Sequence, residues 1–139
     1  MIDVAGPISW SDERYGLDLN LMDDHHKGFV DLVSALTVAS DGEYATLFPE
    51  LVRHTHEHFA HEEKLMQDTN FPALEEHISD HRRVLGDLNN MLDRVERGRM
   101  MMPREYVRSG MPEWFTQHLA TMDSALAAHL KRVLAVQGT

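Results

Sequence analysis

The chain has 139 residues, a formal net charge of −10 and no cysteine. Its length fits one domain, and the missing thiols exclude disulfides, zinc–thiolate sites and cysteine nucleophiles. The acidity argues against binding to nucleic acid or to an anionic membrane. Because neither a signal peptide nor an apolar stretch long enough to span a bilayer is recognisable, we expect a cytoplasmic protein. Ten residues are histidines, an unusual number whose role needs an explanation.

Turn residues divide the chain into an N-terminal arm, residues 1–18, and a helical region, residues 19–139. Gly6, Pro7 and Gly16 disfavour a long helix in the arm. We interpret the arm and the helical region as parts of a single domain, because no linker composition separates them.

Apolar residues recur with helical periodicity in four segments of the helical region. The segments cover about residues 19–40, 43–68, 72–98 and 103–136, and Pro112 is expected to break the first turns of the last one. No segment has the sustained alternation of a strand. Four amphipathic helices joined by short turns predict an all-α fold, namely an up-down-up-down antiparallel four-helix bundle with an N-terminal arm.

Histidine and carboxylate side chains interrupt the apolar stripe of each predicted helix. Two residues four apart lie one turn apart on the same helix face, so both side chains can reach one ion. The four helices contribute, in order, His26, then His58 with Glu62, then His77 with His81, and then His118 with Asp123. The last pair is five residues apart, about 140° round an ideal helix. Either Asp123 reaches across the bundle, or the helix is locally adjusted.

Each of these residues alone has an ordinary structural explanation, since single inward histidines are common in cores. Together they are harder to explain, because burying five imidazoles and two carboxylates without partners would cost many kcal/mol. The set is too large for one tetrahedral zinc ion, and it suits two borderline metal ions with carboxylates between them. The Glu-x-x-His pairs of ferritin-like sites are absent from the sequence. The donor set therefore predicts a nitrogen-rich two-metal centre.

The same residues lie in motifs that resemble the hemerythrin family, and more closely its single-domain bacterial members. The matching stretches are residues 22–27, residues 58–66, residues 71–72 followed by His77 and His81, and residues 114–123. The similarity extends from about Trp10 to beyond Asp123. It covers most of the chain and fills all seven ligand positions at the family's spacings.

The resemblance implies a non-haem centre of two iron ions joined by an oxo or hydroxo group, with dioxygen as its ligand. One iron would take His77, His81 and His118, the other would take His26 and His58 and keep an open position, and Glu62 and Asp123 would bridge them. The expected function is reversible dioxygen binding for storage, delivery or sensing, without enzymatic activity. Leu119 and Met122 flank the ligands of the last helix and are expected to line the oxygen pocket.

Two alternatives to an oxygen carrier stay open. A diiron enzyme acting on peroxide or nitric oxide would need a proton donor near the open position, for which His25, His54 and His61 are the candidates. A redox or oxygen sensor would change its helix packing on oxidation, and a partner protein would read that change. The sequence identifies no such partner.

Overall fold

The computed structural model describes residues 8–137, and four long helical segments form its core. The first three follow a short helix: α1 is Asp12–Tyr15, α2 is Asn20–Thr37, α3 is Asp41–Asp68 and α4 is Leu74–Glu96. The fourth segment consists of α5 (Met101–Glu105), α6 (Met111–His118) and α7 (Ser124–Gln137), joined by the π-helical turns Tyr106–Gly110 and Leu119–Asp123. The described residues contain no strand, and none of their helices is long and apolar enough to cross a membrane. Short connections make neighbouring segments antiparallel, which confirms the predicted bundle.

Helix α3 begins earlier than the hydrophobic pattern alone predicts, because a capping box starts it. The Glu43 backbone N–H donates to Ser40 Oγ at 3.2 Å, and the Ser40 backbone N–H donates to Glu43 Oε1 at 2.8 Å. Residues 40–42, which lie at the boundary between the first two predicted segments, therefore form the start of α3, with Ser40 as its cap. Correspondingly, α2 ends at Thr37.

The predicted break at Pro112 is wrong, since the fourth segment stays helical through this residue. A proline ring inside a helix clashes with the carbonyl four residues earlier, which here belongs to Arg108. Arg108 lies in the π turn Tyr106–Gly110, which ends with the Met111 N–H donating to the carbonyl five residues before it. The wider turn accommodates the ring without ending the helix.

Two apolar clusters fill the bundle core. The larger cluster includes Phe29, Phe48, Leu51, Leu88, Val107 and Phe115. The smaller cluster consists of Met22, Met66, Phe71, Leu126, Ala127 and Leu130. The arm joins the larger cluster through Tyr15, which is buried and whose ring centroid lies 5.5 Å from that of Phe115. Residues 1–7 of the predicted arm lie outside the described residues, so the division at residue 18 stays a prediction.

Candidate metal centre

Seven polar side chains form one buried layer between the two apolar clusters. Each is at most 4% exposed, and they are His26, His58, Glu62, His77, His81, His118 and Asp123. Along α2, for example, Met22 belongs to the smaller cluster, His26 to the layer and Phe29 to the larger cluster. The structure thus brings together every residue that the sequence analysis selected for the metal centre. We refer to this set as the polar layer.

Regular helix geometry positions the layer residues of α3 and α4. His58 Nε2 lies 2.7 Å from Glu62 Oε2 on α3. The ring centroids of His77 and His81 lie 4.6 Å apart on α4. Each pair is four residues apart, so ordinary α-helical periodicity is enough to place both side chains in the layer.

The layer residues of the fourth segment depend on a π turn. In the turn Leu119–Asp123, the Ser124 N–H donates to the carbonyl of Leu119, five residues before it. In a π turn, residues five apart are separated by about one full turn and therefore lie on the same face of the helix. Asp123 Oδ1 accordingly lies 3.1 Å from His118 Nε2. Local adjustment of the helix is therefore what allows the five-residue spacing.

Glu62 directs its two oxygens towards different histidines. Its Oε2 lies 2.7 Å from His58 Nε2 and 3.2 Å from His26 Nε2. Its Oε1 lies 3.2 Å from His81 Nε2 and 3.3 Å from His77 Nε2. Glu62 therefore stands between two sets of imidazoles contributed by different helices.

Asp123 occupies a similar position opposite Glu62. Its Oδ2 lies 3.1 Å from His26 Nε2, whereas its Oδ1 lies 3.0 Å from His77 Nε2 and 3.1 Å from His118 Nε2. Two groups of histidines are thereby defined, with a carboxylate oxygen facing each. The two-histidine group consists of His26 and His58, and the three-histidine group consists of His77, His81 and His118.

The donor atoms of the layer fit two cations. Although pairs of them lie 3.0–3.3 Å apart, five buried atoms make no hydrogen bond among the described residues: Nε2 of His77, His81 and His118, Oε1 of Glu62 and Oδ1 of Asp123. Each such atom costs about 1–3 kcal/mol unless another partner satisfies it. The ligand atoms of the three-histidine group and both carboxylates lie within 4.8 Å of one another, as do those of the two-histidine group and Glu62. Imidazole and carboxylate donors at this density suit borderline transition-metal ions.

The carboxylates give the layer a negative potential. Burial lowers the pKa of His26, but contacts with Asp123 and Glu62 outweigh burial and raise it to about 10. The same balance raises the pKa of His77 to about 9. Burial and the nearby Glu62 charge would raise the pKa of Asp123, yet its contacts with the imidazoles hold it well below its ordinary value. An environment of this kind favours bound positive charge.

Two further carboxylates contact the outer nitrogens of layer histidines, and the sequence analysis missed both. His118 Nδ1 donates to Asp80 Oδ2 at 2.7 Å, and His81 Nδ1 donates to Glu63 Oε2 at 3.1 Å. When such a ring is neutral, an Nδ1–H that donates to a carboxylate leaves Nε2, which faces the core, with the lone pair that a metal ion needs. Asp80 and Glu63 are sequence neighbours of His81 and Glu62, which is the only signal that could have suggested them.

Three other histidines lie beside the two-histidine group without belonging to the layer. His54 Nε2 lies 2.9 Å from the carbonyl oxygen of His25, so it connects α3 to the α2 backbone. Gly28 makes room for this ring, since a Cβ there would lie 2.8 Å from His54 Cε1. The half-buried rings of His25 and His61 stack with centroids 4.8 Å apart, and His25 lies 5.6 Å from the ring of His58.

The two residues predicted to line an oxygen pocket differ in exposure. Leu119 is 4% exposed and belongs to the larger apolar cluster. Met122 is only half-buried. Their role as pocket lining stays a prediction, and burial favours Leu119 over Met122.

The fold and the site together define a class of protein, a four-helix bundle with a histidine-rich site for two cations in its core. Residues 17–130 match the sequence profile of the family described as "Hemerythrin HHE cation binding domain". The bacteriohemerythrin of Ralstonia nicotianae is 32% identical over 123 residues, which cover 88% of each chain. The myohemerythrin of Sipunculus nudus is 27% identical over 120 residues, covering 86% of this chain and 91% of the relative.

The chain belongs to the hemerythrin family. A crystal structure of wild-type hemerythrin has the same fold, with a TM-score of 0.80 over 88% of this chain and 96% of that one, at 21% identity. The predicted family and the predicted bundle are therefore confirmed. Hemerythrins are non-haem diiron proteins that bind dioxygen, which agrees with the chemistry that the donor set suggests.

Proposed function

We propose that the protein binds dioxygen reversibly at a non-haem diiron centre in its core, and that it stores, delivers or senses oxygen. One observation carries the proposal, namely the way in which Glu62 and Asp123 each direct one oxygen to the two-histidine group and the other to the three-histidine group. A carboxylate in this position can bridge two metal ions. Membership of the hemerythrin family supplies the identity of the metal as iron.

All seven layer residues would be ligands under this proposal. The three-histidine group would hold one iron, the two-histidine group would hold the other, and Glu62 and Asp123 would bridge them. The two-histidine group offers fewer protein donors, so the open position for dioxygen would lie on that side. When bound, a ferrous pair supplies the two electrons that dioxygen takes up reversibly.

Apolar side chains around the layer keep water away from it. The Phe59 ring stacks on His81 with centroids 3.7 Å apart, and the Phe115 ring lies edge-on 5.8 Å from His26. Leu119 follows His118 directly and is buried. Excluding water and small anions from a reactive centre suppresses side reactions, which a reversible carrier requires.

Repeated oxygen cycling tests the proposal. The iron-loaded protein is reduced anaerobically, exposed to oxygen and followed by absorption and resonance Raman spectroscopy. We expect a charge-transfer band that appears with oxygen, responds to oxygen isotope substitution and disappears when oxygen is removed. Immediate conversion to a permanently oxidised form would contradict reversible binding.

Leu119→Ala should lower the number of oxygenation cycles that the protein completes before it is permanently oxidised. Leu134→Ala, at a side chain that is 43% exposed, should leave that number unchanged.

A diiron enzyme acting on peroxide or nitric oxide is the second candidate, and one group of contacts favours it. His25 and His61 stack beside His58, and Nε2 of His61 is buried without a hydrogen-bond partner among the described residues. Polar groups therefore lie next to the two-histidine group. Turnover of peroxide or nitric oxide by the loaded protein, reduced in His61→Ala, would support an enzyme. Oxygen cycling without such turnover supports a carrier.

A sensing role would require a change in the protein that a partner can detect. Hydrogen exchange compared between the reduced and oxidised protein would reveal altered helix packing. Equal protection in both forms would argue for storage or delivery. The sequence identifies no protein partner, and the cytoplasmic location stays a prediction.

A further inference from the structure

The Nδ1 atoms of the layer histidines, which face away from the centre of the layer, differ in their hydrogen-bond partners. In the three-histidine group, His118 donates to Asp80 and His81 donates to Glu63, at 2.7 and 3.1 Å. In the two-histidine group, Nδ1 of both His26 and His58 is buried without a hydrogen-bond partner in the described part of the chain. Nδ1 of His77 is also without one. Two of the three imidazoles in the three-histidine group thus have a carboxylate partner at Nδ1. Neither imidazole of the two-histidine group has one among the described residues.

Asp80 is held in place independently of His118. Trp114 Nε1 donates to the same oxygen, Oδ2, at 2.9 Å, and an Arg83 guanidinium N–H donates to Oδ1 at 2.9 Å. The Asp80 side chain is 17% exposed, and the Trp114 ring stacks on the His118 ring with centroids 4.8 Å apart. The His118 ring is therefore fixed by a hydrogen bond at its edge and an aromatic contact on its face.

A carboxylate behind a metal-binding imidazole changes what that imidazole does. It fixes the tautomer and the ring orientation, and it makes the other ring nitrogen a stronger ligand for a metal ion. It also adds negative charge near the bound ion. An imidazole without such a partner receives none of these contributions. The two histidine groups should therefore differ in their affinity for a metal ion.

On the basis of the proposed metal centre, we infer that Asp80 and Glu63 are positioning residues that make the three-histidine group the tighter of the two metal positions. A first metal ion binds at His77, His81 and His118. The second ion binds at His26 and His58. On removal the order reverses, so the protein passes through a state with one metal ion, and the position next to the open site is the one that exchanges its metal.

Stepwise addition of Zn²⁺ alone tests the order of binding in the unmodified chain. The protein is stripped of metal with a chelator, its imidazoles are isotope-labelled, and their nitrogen resonances are followed by NMR at a fixed pH. We expect the Nε2 resonances of His81 and His118 to change during the first equivalent. Those of His26 and His58 should change only during the second.

Two variants test the role of the outer carboxylates. Asp80→Asn and Glu63→Gln keep the side-chain shape and remove the charge. Each should weaken the first Zn²⁺ site by about 10–100-fold in competition with a chelator, while the second site changes little. Glu76→Gln is the matched control, because Glu76 is exposed although it directly precedes His77. Its two Zn²⁺ affinities should equal those of the unmodified protein.

Two results would contradict the proposed difference in affinity while leaving the proposed metal centre valid. These are binding of the first Zn²⁺ at His26 and His58, and equal weakening of both sites by the two variants. If no layer imidazole responds to Zn²⁺, the difference in affinity and the metal centre are both wrong. Should Asp80→Asn fail to fold by circular dichroism, Glu63→Gln and the order seen in the unmodified protein still give the answer.

Discussion

The larger apolar cluster and the polar layer lie side by side in one core, but burial has opposite consequences for them. In the apolar cluster, Phe48 and Leu88 are fully buried, and removing them from water favours folding by about 25 cal/mol per Å². In the polar layer, Glu62 and His81 are buried as deeply, yet their burial costs free energy unless an opposite charge satisfies them. One region therefore stabilises the bundle, and the other uses that stability to hold a reactive site.

The largest difference between the two regions should follow from removing Glu62, the proposed bridging carboxylate. Loss of a hydrogen-bond partner of a metal ligand typically costs about 10–100-fold in metal affinity, so Glu62→Ala, which removes a proposed ligand of both metal ions, should cost at least about 100-fold. Metal analysis after gel filtration measures the loss. His56→Ala is the control, because His56 is exposed and should leave metal content unchanged. Two retained irons in Glu62→Ala would show that the bridge is wrongly assigned.

A cavity in the apolar cluster should have the complementary effect. Leu88 is fully buried, so Leu88→Ala should lower the free energy of unfolding by about 2–5 kcal/mol, measured by urea denaturation. Below its melting temperature, the variant should still bind two metal ions, since the layer residues are untouched. Leu134→Ala, at an exposed site, should change stability by less than about 0.5 kcal/mol. Loss of metal from folded Leu88→Ala would show that the two regions are coupled.

The contact between Gly28 and His54 lies at the border of the layer. Substitutions there should change the free energy of unfolding by a smaller amount. Alanine normally stabilises a helix by about 1 kcal/mol relative to glycine. Gly86→Ala on α4 should show that gain, because nothing lies within 4 Å of its added Cβ. In Gly28→Ala the new Cβ meets the His54 ring, so the gain should be lost and should return when His54→Ala is added. An additive double-mutant cycle in urea denaturation would argue against the contact.

The capping box of α3 is far from the layer and should affect stability alone. Ser40→Ala should lower the free energy of unfolding by about 1 kcal/mol. Hydrogen bonds from the Ser40 backbone N–H and from the Ser40 side chain to the Glu43 carboxylate hold the pKa of Glu43 below its ordinary value. The stabilisation from its charge is therefore present above the ordinary carboxyl pKa and is lost as the pH falls through the lowered one. Glu43→Gln should match the unmodified protein in acid and fall below it near neutral pH, with the same metal content as the unmodified protein at each pH.

Helical periodicity explains why most of the site could be predicted. His58 with Glu62, and His77 with His81, share a face in any α-helix, whatever packs against them. The pairing of His118 with Asp123 could not be predicted in this way, because it needs the π turn Leu119–Asp123, for which the sequence has no recognised signal. The family resemblance, rather than periodicity, was what identified Asp123.

Pro112 shows the same limit in the fold. Proline next to a helical pattern predicts a break, and only the π turn preceding it shows how the helix continues. Asp80 and Glu63 were missed for a related reason. Spacing places them one residue from layer positions, and it does not tell whether the neighbouring helix offers them an imidazole nitrogen.

The sequence by itself determined the four helices, the apolar stripes, the donor set of five imidazoles and two carboxylates, and the family. These properties depend on residue type, on a period that every α-helix shares and, for Asp123, on the motifs that the chain has in common with its family. The tertiary structure decided which carboxylate oxygen faces which histidine group, and which outer nitrogens find a carboxylate partner. Those contacts depend on the packing of separate helices at the scale of a hydrogen bond, which periodicity within one helix does not specify.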